Sequence, residues 1–336
     1  MRTAEREQPV HEPAADDSPI EDSIRGLLGP RDRELFDARV GTLLEDDPAR
    51  WEGIAFPIEL ALELAAVCNL RCVMCPVPTT SRPPRFMNPE TFQRAVDQAA
   101  AEGGFVLLPQ GFGETMLHAK WAELVGYAVS RGIRPIVMLT NGTVLNERNV
   151  ERLLALAIDV VLISIDGTTP ETYARVRVGG DLRKVEANVL RLVERRGASR
   201  TPKICLRIIR MKDTAHEIDD FLARWRSVLH PEDEVRINEY NDWAGKVDDL
   251  SVEGVHEGDT GRGPCRMLWR NLSVHADGKV SACCHDSEDE LIVGDLERGE
   301  TLQEIWRGEK LQRLRRLHRE ARLDELPICR ACKAWY

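Results

Sequence analysis

The sequence lacks any long unbroken apolar run. No stretch approaches the roughly 18 consecutive apolar residues of a membrane-spanning helix. No N-terminal run joins basic residues to an apolar segment of signal length either. Both absences argue against a membrane partner and against export, and we therefore expect a cytoplasmic protein.

Clusters of positive charge are also missing. The formal net charge is −10 over 336 residues, and no Lys/Arg-rich arm or basic stripe interleaved with aromatic residues dominates the chain. Nucleic acid is therefore not an expected partner. A hydrophobic content of 43% is normal for a globular protein with a core, so these absences do not indicate disorder.

The composition divides the chain into three segments. Residues 1–52 form an N-terminal extension that opens with a polar, aperiodic stretch, where we expect disorder, and continues with helices between Ile24 and Leu44. Residues 53–240 alternate short apolar runs with amphipathic stretches. Residues 241–336 hold turn-rich short strands, a helix and five of the nine cysteines. We predict a main domain over 53–240 and a small cysteine-dependent domain over 241–336.

The main domain has the pattern of parallel strand–helix–strand units, because each apolar run is followed by a stretch suited to a crossover helix. Three runs end in the turns QGFGE, TNG and SIDG, which places these turns at the carboxyl edge of a parallel sheet. Barrels of this type build active sites at that edge. We predict an α/β fold, a partial (β/α)6 barrel, with the strands IELALEL, GFVLLPQGF, RPIVMLTNG, DVVLISIDG, KICLRIIR and EVRINEY.

Three cysteines stand within eight positions of the loop after the first predicted strand: Cys68, Cys72 and Cys75. A disulfide between any two would close a small strained loop and leave one thiol over, so a metal site is the better explanation. Three thiolates can wrap one face of an iron–sulfur cube and leave its fourth iron open. A zinc site that takes a fourth ligand from elsewhere is the alternative.

The order of the motifs resembles that of the radical S-adenosylmethionine (SAM) superfamily. CNLRCVMC, GFGE, TNGT and SIDG follow one another, each at a predicted strand end. The resemblance implies that the three cysteines hold a [4Fe–4S] cluster whose open iron binds the amino and carboxylate groups of SAM. Gly113 and Glu114 would hold the SAM amino group, Ser164 and Asp166 would contact its ribose and carboxylate, and Arg177 would lie near the carboxylate.

Two positions depart from the usual motifs of that superfamily. Met74 stands where an aromatic residue commonly precedes the third cysteine, and its apolar side chain can still cover the adenine of SAM. Phe112 and Thr115 replace a glycine and a proline of the usual GGEP sequence. We interpret both departures as subfamily variation.

A second set of cysteines lies in the C-terminal segment. Cys265, Cys283, Cys329 and Cys332 supply four thiolates, enough for one further [4Fe–4S] cluster, and Gly278 sits in a hairpin signal that would bring them together. The spacing resembles the twitch, or truncated SPASM, domain that follows the barrel in one branch of the superfamily. Four cysteines satisfy tetrahedral zinc equally well, so zinc is again the alternative.

Two cysteines are left over. Cys205 lies within a predicted strand and is expected to be a small buried hydrophobe. Cys284 directly follows a predicted ligand, so it either replaces Cys283 or offers a free thiol beside the substrate. His285 and Asp286 are predicted to be turn and surface residues.

The architecture resembles enzymes that act on sugars or aminocyclitols, including carbohydrate epimerases and 2-deoxy-scyllo-inosamine dehydrogenase, and also ribosomal-peptide maturases. Because Cys284 could return hydrogen to a substrate radical, we favour epimerisation of a carbohydrate or aminocyclitol. Dehydrogenation and peptide maturation are the alternatives. The basic helix RLRRLHREAR is predicted to be a solvated face that could dock a flavodoxin- or ferredoxin-type electron donor. Candidate sugar-binding residues end the last strand: Arg236, Asn238, Glu239 and Tyr240.

Overall fold

The computed structural model describes residues 30–44, 48–103, 106–156, 158–252 and 263–333. The predicted disordered opening of the chain lies outside these ranges. Six parallel strands match the six predicted runs: β1 (Glu59–Leu62), β2 (Val106–Leu108), β3 (Val137–Thr140), β4 (Val160–Ser164), β5 (Lys203–Arg210) and β6 (Glu234–Glu239). Three short strands follow: β7 (Asn271–Val274), β8 (Lys279–Ser281) and β9 (Ile292–Asp295).

Helices occupy the stretches between the strands. In chain order they are α1 (Pro30–Leu44), α2 (Pro48–Trp51), α3 (Pro89–Ala101), α4 (Trp121–Ser130), α5 (Glu147–Ala155), α6 (Pro170–Val176), α7 (Leu182–Arg196), α8 (Ile218–Arg226), α9 (Leu302–Arg307), α10 (Glu309–Arg319) and α11 (Pro327–Ala331). No helix of the described ranges is both long and apolar enough to cross a membrane.

The strands form two sheets that meet between β2 and β3. One sheet has the order β3-β4-β5-β6 and is parallel throughout, while in the other β1 pairs in parallel with β2. A single parallel bridge from Leu107 to Ile136 joins the two. The predicted α/β fold with a partial (β/α)6 barrel is therefore confirmed, and the carboxyl ends of the strands share one edge.

The strand sequences explain which face packs on the helices. In a strand, alternate side chains point to opposite faces of the sheet. Up to Ile208, one face of β4 and β5 is apolar and fully buried in the core shared with the helices, as expected for parallel strands covered by crossover helices. Its members are Val161, Ile163, Ile204, Leu206 and Ile208. Cys205 on the other face is 2% exposed, which confirms that it is buried.

The C-terminal strands continue the sheet that contains β1. Strand β7 pairs in parallel with β1, and β8 and β9 follow as antiparallel strands. Gly278 in the β7–β8 turn has φ of +87°, a left-handed value that glycine adopts without strain. The C-terminal segment is thereby fixed directly to the strand that precedes the first cysteine loop.

The N-terminal helices and the C-terminal helices cover the same end of the core. Trp51 of α2 lies edge-on to Trp269 with 5.3 Å between ring centroids, and Trp306 of α9 donates to the Ile54 carbonyl at 2.9 Å. Helix α10 is not entirely a solvated face as predicted: Arg315 is 3% exposed, and its guanidinium lies 4.2 Å from the Trp306 ring centroid. Burial lowers the pKa of Arg315 to about 10.

Candidate active site

The first cysteine loop follows β1 and is surrounded by hydrogen-bond donors. The Cys75 amide donates to the Cys72 carbonyl at 3.2 Å, which closes the loop into a turn. Asn141 Nδ2 lies 3.7 Å from Cys68 Sγ, and Arg177 Nη1 lies 3.8 Å from Cys72 Sγ. Donors aimed at sulfur favour thiolates over thiols. The three predicted ligands are thus brought to one short turn beside an amide and a guanidinium.

The electrostatics of this loop suit a metal centre. Burial raises the pKa of Cys68 and Cys72, and it raises the pKa of Cys75 to about 12. On their own these thiols therefore stay protonated at neutral pH. A bound metal deprotonates such thiols, because its positive charge stabilises the thiolate in place of the water that burial excludes. The donor set fits an iron–sulfur centre.

The GFGE turn sits directly against the first cysteine loop. A Cβ at Gly113 would lie 2.0 Å from the Ala65 carbonyl oxygen, so only glycine allows this approach. The Glu114 amide donates to the Val67 carbonyl at 2.8 Å, one residue before Cys68. The predicted SAM turn and the cysteine loop are therefore built as one unit.

Glu114 is a buried carboxylate held by the end of β3. It is 2% exposed and accepts hydrogen bonds from the Thr140 hydroxyl and the Asn141 amide, each at 2.8 Å. Burial raises its pKa, although these hydrogen bonds oppose the shift. A buried acceptor at this position is suited to an ammonium group, whose charge would favour the ionised carboxylate.

Asp166 and Arg177 form a buried pair behind the cysteine loop. Arg177 donates from Nε and Nη2 to one oxygen of Asp166 at 2.7 and 2.5 Å, and the Ile209 amide donates to the other oxygen at 2.7 Å. Ser164, the last residue of β4, accepts a hydrogen bond from Arg207 Nη2 at 2.8 Å. Asp166 therefore orients Arg177, whose remaining nitrogen faces Cys72.

Met74 lies in a small apolar cluster between the cysteine loop and the end of β6. It is 5% exposed and packs with Leu70, Val176, Met211 and Tyr240. Its carbonyl accepts from the Trp243 indole at 2.8 Å. Trp243 has a left-handed φ of +54°, which costs a bulky side chain energy and marks a constrained loop.

Five cysteines line a cavity in the C-terminal segment. The cavity is open in part to solvent and is lined by Cys265, Cys283, Cys284, Cys329 and Cys332. The thiols border a space and do not meet at a point: in the described ranges no three Cys, His, Asp or Glu side chains form a group that could hold a single metal ion. The four predicted ligands are thus brought together with one thiol to spare.

The contacts of Cys329 and of Cys284 within this cavity differ. The pKa of Cys329 is raised by burial and then by Cys283, Cys265 and Cys332, which are the other three predicted ligands. Cys284 instead interacts with Cys283, to which it is hydrogen-bonded, and this contact together with burial raises the pKa of Cys283. Cys284 is the fifth thiol of the cavity.

The prediction that His285 and Asp286 are surface residues is wrong. Asp286 is completely buried and accepts from the Ser281 hydroxyl at 2.8 Å, which holds the turn after Cys284. His285 lies edge-on to Trp243, with 5.0 Å between ring centroids. Burial lowers the pKa of His285 to about 4, so the imidazole is neutral at physiological pH.

Aromatic rings connect the two cysteine sites. Trp243 lies 5.6 Å from Phe112 between ring centroids, and Phe112 directly precedes Gly113. Because Trp243 also contacts His285, the residue after Cys284 reaches the GFGE turn through two rings. The departure from the usual motif at Phe112 thus has a structural role that its motif position did not indicate.

The polar residues at the end of β6 are mostly engaged within the protein. Arg236 pairs with Glu234 at 2.5 Å, Glu239 pairs with Arg210 at 3.0 Å, and the Tyr240 hydroxyl donates to the Asp248 carbonyl at 2.5 Å. The amide oxygen of Asn238 is buried and has no hydrogen-bond partner within the described part of the chain. Of these four candidates, Asn238 is the one with a buried acceptor that lacks a partner in the described ranges.

Two buried carboxylates that the sequence analysis missed support the site. Glu63, in β1's continuation, accepts from the Phe112 amide at 2.7 Å. Glu217 accepts from the hydroxyls of Thr168 and Thr169 at 3.0 and 2.8 Å and so holds the loop after Asp166. A glutamate inside the apolar run IELALEL was a signal for the first, while nothing local distinguished the second.

Comparison with protein families gives two matches. Residues 62–224 match the model of the Radical SAM superfamily. Residues 265–333 match the model of SPASM, an iron–sulfur cluster-binding domain. The two matches contain all eight cysteines discussed as ligands or as a spare thiol.

The chain is also similar to curated proteins over parts of their length. It is 34% identical over 122 residues to the AdoMet-dependent heme synthase of Methanosarcina barkeri, which covers 36% of this chain and 34% of that protein. It is 29% identical over 171 residues to the mycofactocin maturase MftC of Mycobacterium ulcerans, with 51% and 45% covered. The chain thus spans less than half of these two relatives. With MftC of Mycolicibacterium smegmatis it is 25% identical over 294 residues, covering 78% and 73%.

Solved structures share the fold at low sequence identity. BtrN in complex with AdoMet and 2-DOIA has a TM-score of 0.58 at 15% identity, covering 82% of this chain and 93% of BtrN. Streptococcus suis SuiB bound to its precursor peptide SuiA has a TM-score of 0.61 at 14% identity, covering 85% and 71%. The anSMEcpe structure with bound AdoMet has a TM-score of 0.59 at 16% identity, covering 83% and 85%.

Proposed function

We propose that this chain, a radical SAM protein with a C-terminal iron–sulfur domain of the SPASM family, epimerises a carbinol carbon of a sugar or aminocyclitol. The cofactors that these two domains use are a [4Fe–4S] cluster, SAM and additional iron–sulfur. The cofactors supply, when bound, a carbon-centred radical that can remove hydrogen from an unactivated C–H bond. The protein must then aim that chemistry at one carbon.

The residues proposed to hold SAM and its cluster occupy one connected region. Cys68, Cys72 and Cys75 would bind the first cluster, with Arg177 beside Cys72 as a fixed positive charge. Glu114 would accept the SAM ammonium, since it is buried and already oriented by Thr140 and Asn141. Asp166 would act by orienting Arg177, and Ser164 would offer its hydroxyl beside Arg207.

The second cluster would be held by the four thiols around Cys329. Cys265, Cys283 and Cys332 raise the pKa of Cys329 and line the same cavity, which supports these four thiolates as the ligand set. Thiolates that surround a space suit a polynuclear cluster. Zinc in the same cavity is the outcome that would exclude this assignment.

The Cys284 thiol is the reason for proposing epimerisation. Cys284 lines the cavity beside Cys283, to which it is hydrogen-bonded, and the next residue, His285, contacts Trp243 and through it the GFGE turn. A thiol can donate a hydrogen atom to the face of the substrate opposite the one that lost hydrogen, and Cys284 would hold that position. The position of the substrate carbon between the cofactor-derived radical and the Cys284 thiol then decides whether the configuration is inverted.

The balance of the step requires a one-electron donor. The Cys284 S–H bond breaks and a C–H bond forms on the substrate radical. This gives the inverted product and leaves a sulfur-centred radical on Cys284. One electron from a flavodoxin- or ferredoxin-type protein and one proton from solvent restore the thiol. The substrate itself is neither oxidised nor reduced overall.

A peptide substrate is the second candidate. The match with MftC of Mycolicibacterium smegmatis extends over 78% of this chain and 73% of that maturase, which supports a maturase-like function for most of the chain. In that case the free acceptor of Asn238 and the Cys284 thiol would face a peptide side chain. Dehydrogenation of the secondary alcohol is the alternative on a carbohydrate, and it makes a ketone.

The reaction product distinguishes these functions. Anaerobically reconstituted enzyme with SAM and a reductant is incubated with a panel of aminocyclitols and glycosides, and separately with short peptides encoded beside the gene. Mass spectrometry and NMR then identify the product. An isomer of unchanged mass supports the proposal, a product two mass units lighter from a carbinol indicates dehydrogenation, and turnover of the peptides alone would overturn a carbohydrate substrate.

A further inference from the structure

Glu63 is a buried carboxylate that bonds to both cluster-bearing parts of the protein. It lies one residue beyond β1 and is 1% exposed. Its two oxygens accept hydrogen bonds from three groups that are far apart in the chain: Phe112, Arg82 and Ala276. A buried carboxylate needs several donors to offset its desolvation, so loss of one of these partners affects the others.

One side of this arrangement is the GFGE turn. Glu63 Oε1 accepts from the Phe112 amide at 2.7 Å. Gly111 lies so close that a Cβ there would be 2.4 Å from Glu63 Cγ. The backbone just before Gly113 and Glu114 therefore rests directly on the Glu63 side chain.

The other side is the C-terminal hairpin and the loop after Cys284. Glu63 Oε2 accepts from the Ala276 amide at 2.9 Å, in the β7–β8 turn. Arg82 donates to Glu63 Oε2 at 2.5 Å and lies 3.1 Å from the carboxylate of Asp289. Asp289 is five residues past Cys284 and is held by Lys279 Nζ at 2.5 Å, from strand β8. Hydrogen bonds and ion pairs therefore connect the loop after Cys284 to the GFGE turn without a break.

We propose that Glu63, through Arg82 and Asp289, is a positioning residue that couples occupancy of the second cysteine cavity to SAM affinity. This inference rests on the proposed function, in which Glu114 holds SAM and Cys283 binds the second cluster. An occupied cavity orders the loop from Cys283 to Asp289, and Asp289 then fixes Arg82 and Glu63 beneath the turn that carries Glu114. Loss of the second cluster loosens that turn.

A thermodynamic cycle tests the coupling without relying on catalysis. The dissociation constant of SAM is measured anaerobically by titration calorimetry for the reconstituted wild type, Glu63→Gln, the Cys329→Ser/Cys332→Ser variant and the combination. Loss of the second cluster should weaken SAM binding roughly five- to tenfold in the wild-type background, a typical allosteric coupling. In the Glu63→Gln background the same loss should change the dissociation constant less than about twofold.

Glu59→Gln is the matched control for this experiment. Glu59 is the first residue of β1, is buried and pairs with one arginine of the C-terminal segment, Arg270, at 2.6 Å. Arg270 is not part of the GFGE turn. The full effect of losing the second cluster should therefore persist in the Glu59→Gln background, whereas a merely structural role for β1 carboxylates would remove it there too.

The outcomes are decisive in either direction. The coupling would be overturned if loss of the second cluster changed the SAM dissociation constant by the same factor in the wild-type and Glu63→Gln backgrounds. It would also be overturned if that loss left the dissociation constant unchanged. If a variant fails to fold, Asp289→Asn with and without Arg82→Met tests the same bonds: Asp289→Asn alone should weaken SAM binding several-fold and add nothing after Arg82→Met. Unchanged SAM affinity in Asp289→Asn overturns the proposal. A Glu114→Ala variant with normal SAM affinity would instead overturn the proposed function.

Discussion

Arg177 donates hydrogen bonds from Nε and Nη2 to a single oxygen of Asp166, at 2.7 and 2.5 Å. Its third nitrogen, Nη1, lies 3.8 Å from Cys72 Sγ. The pair is buried, with side-chain exposures of 9% and 0%. Asp166 also raises the pKa of Arg177 far above its ordinary value, against the effect of burial. The guanidinium is therefore a permanent positive charge beside the first cysteine loop.

Breaking this pair should destabilise the protein strongly. Asp166→Asn leaves the Arg177 charge buried without a carboxylate, and we expect the free energy of unfolding to fall by about 3–5 kcal/mol. Chemical denaturation measures the change. Asp213→Asn is the control, because Asp213 pairs with Arg175 at 2.9 Å where both side chains are exposed. It should cost less than about 1 kcal/mol, and an equal loss in both variants would contradict the account.

Gly113→Ala should weaken SAM binding. The added Cβ would meet the Ala65 carbonyl at 2.0 Å, so the turn that carries Glu114 must move. Overpacking of this kind costs about 1–3 kcal/mol of stability. Gly41→Ala, in α1 with no atom within 4 Å of the new Cβ, should instead stabilise by about 0.5–1 kcal/mol. Calorimetry with SAM and thermal unfolding check both variants, and normal SAM affinity in Gly113→Ala would show that the turn is misassigned.

Glu217 should make stability depend on pH. Burial opposes its ionisation, yet hydrogen bonds from Thr168, Thr172 and Thr169 lower its pKa from 4.5 to about 2. Because this pKa is depressed on folding, the stabilisation is complete above about pH 4.5 and is lost as the pH falls toward 2. Its size is about 3 kcal/mol, at roughly 1.4 kcal/mol per pKa unit.

The Glu217→Gln variant isolates that contribution. Its free energy of unfolding should lie below that of the wild type at neutral pH, and the gap should close as the solution is acidified. Urea unfolding of both proteins across this pH range measures the gap. A gap that is constant with pH would mean that the loop after Asp166 does not depend on the carboxylate charge.

Iron content should separate the two cysteine sets. We expect about eight irons per chain after anaerobic reconstitution, about four when Cys68, Cys72 and Cys75 are changed to Ala, and about four when Cys329 and Cys332 are changed to Ser. Cys205→Ser should keep all of them, since this thiol is buried within β5 and belongs to neither set. Stoichiometric zinc without broad absorbance near 400 nm, where such clusters absorb, would contradict both assignments.

The barrel and its edge were predictable from the sequence because their signals are local. Each strand is a short apolar run, and GFGE and SIDG stand where those runs end, so the neighbourhood of Glu114 and Asp166 followed from chain order. The cysteine spacing likewise indicated the two regions in which thiols gather, the loop after β1 and the C-terminal cavity. These features depend on residues that are close in sequence or on the shared edge of parallel strands.

The contacts between the two halves of the chain could not be predicted in this way. Strand β7 pairs with β1 across more than two hundred residues, and Glu63 reaches Ala276 only because of that pairing. His285 was expected at the surface because its neighbours form a turn, yet Trp243 and the fold around it bury the ring. Long-range burial of polar residues leaves no periodic signal in the sequence.

Solvent deuterium in the product tests the central claim most directly. With an accepted carbohydrate or aminocyclitol in deuterium oxide, the Cys284 thiol exchanges with solvent, so the inverted carbon of the product should carry one deuterium. Cys284→Ala should still form 5′-deoxyadenosine and keep its iron, but make no inverted product. A ketone without deuterium at that carbon, or loss of the second cluster in Cys284→Ala, would contradict the assignment of Cys284 as the hydrogen donor.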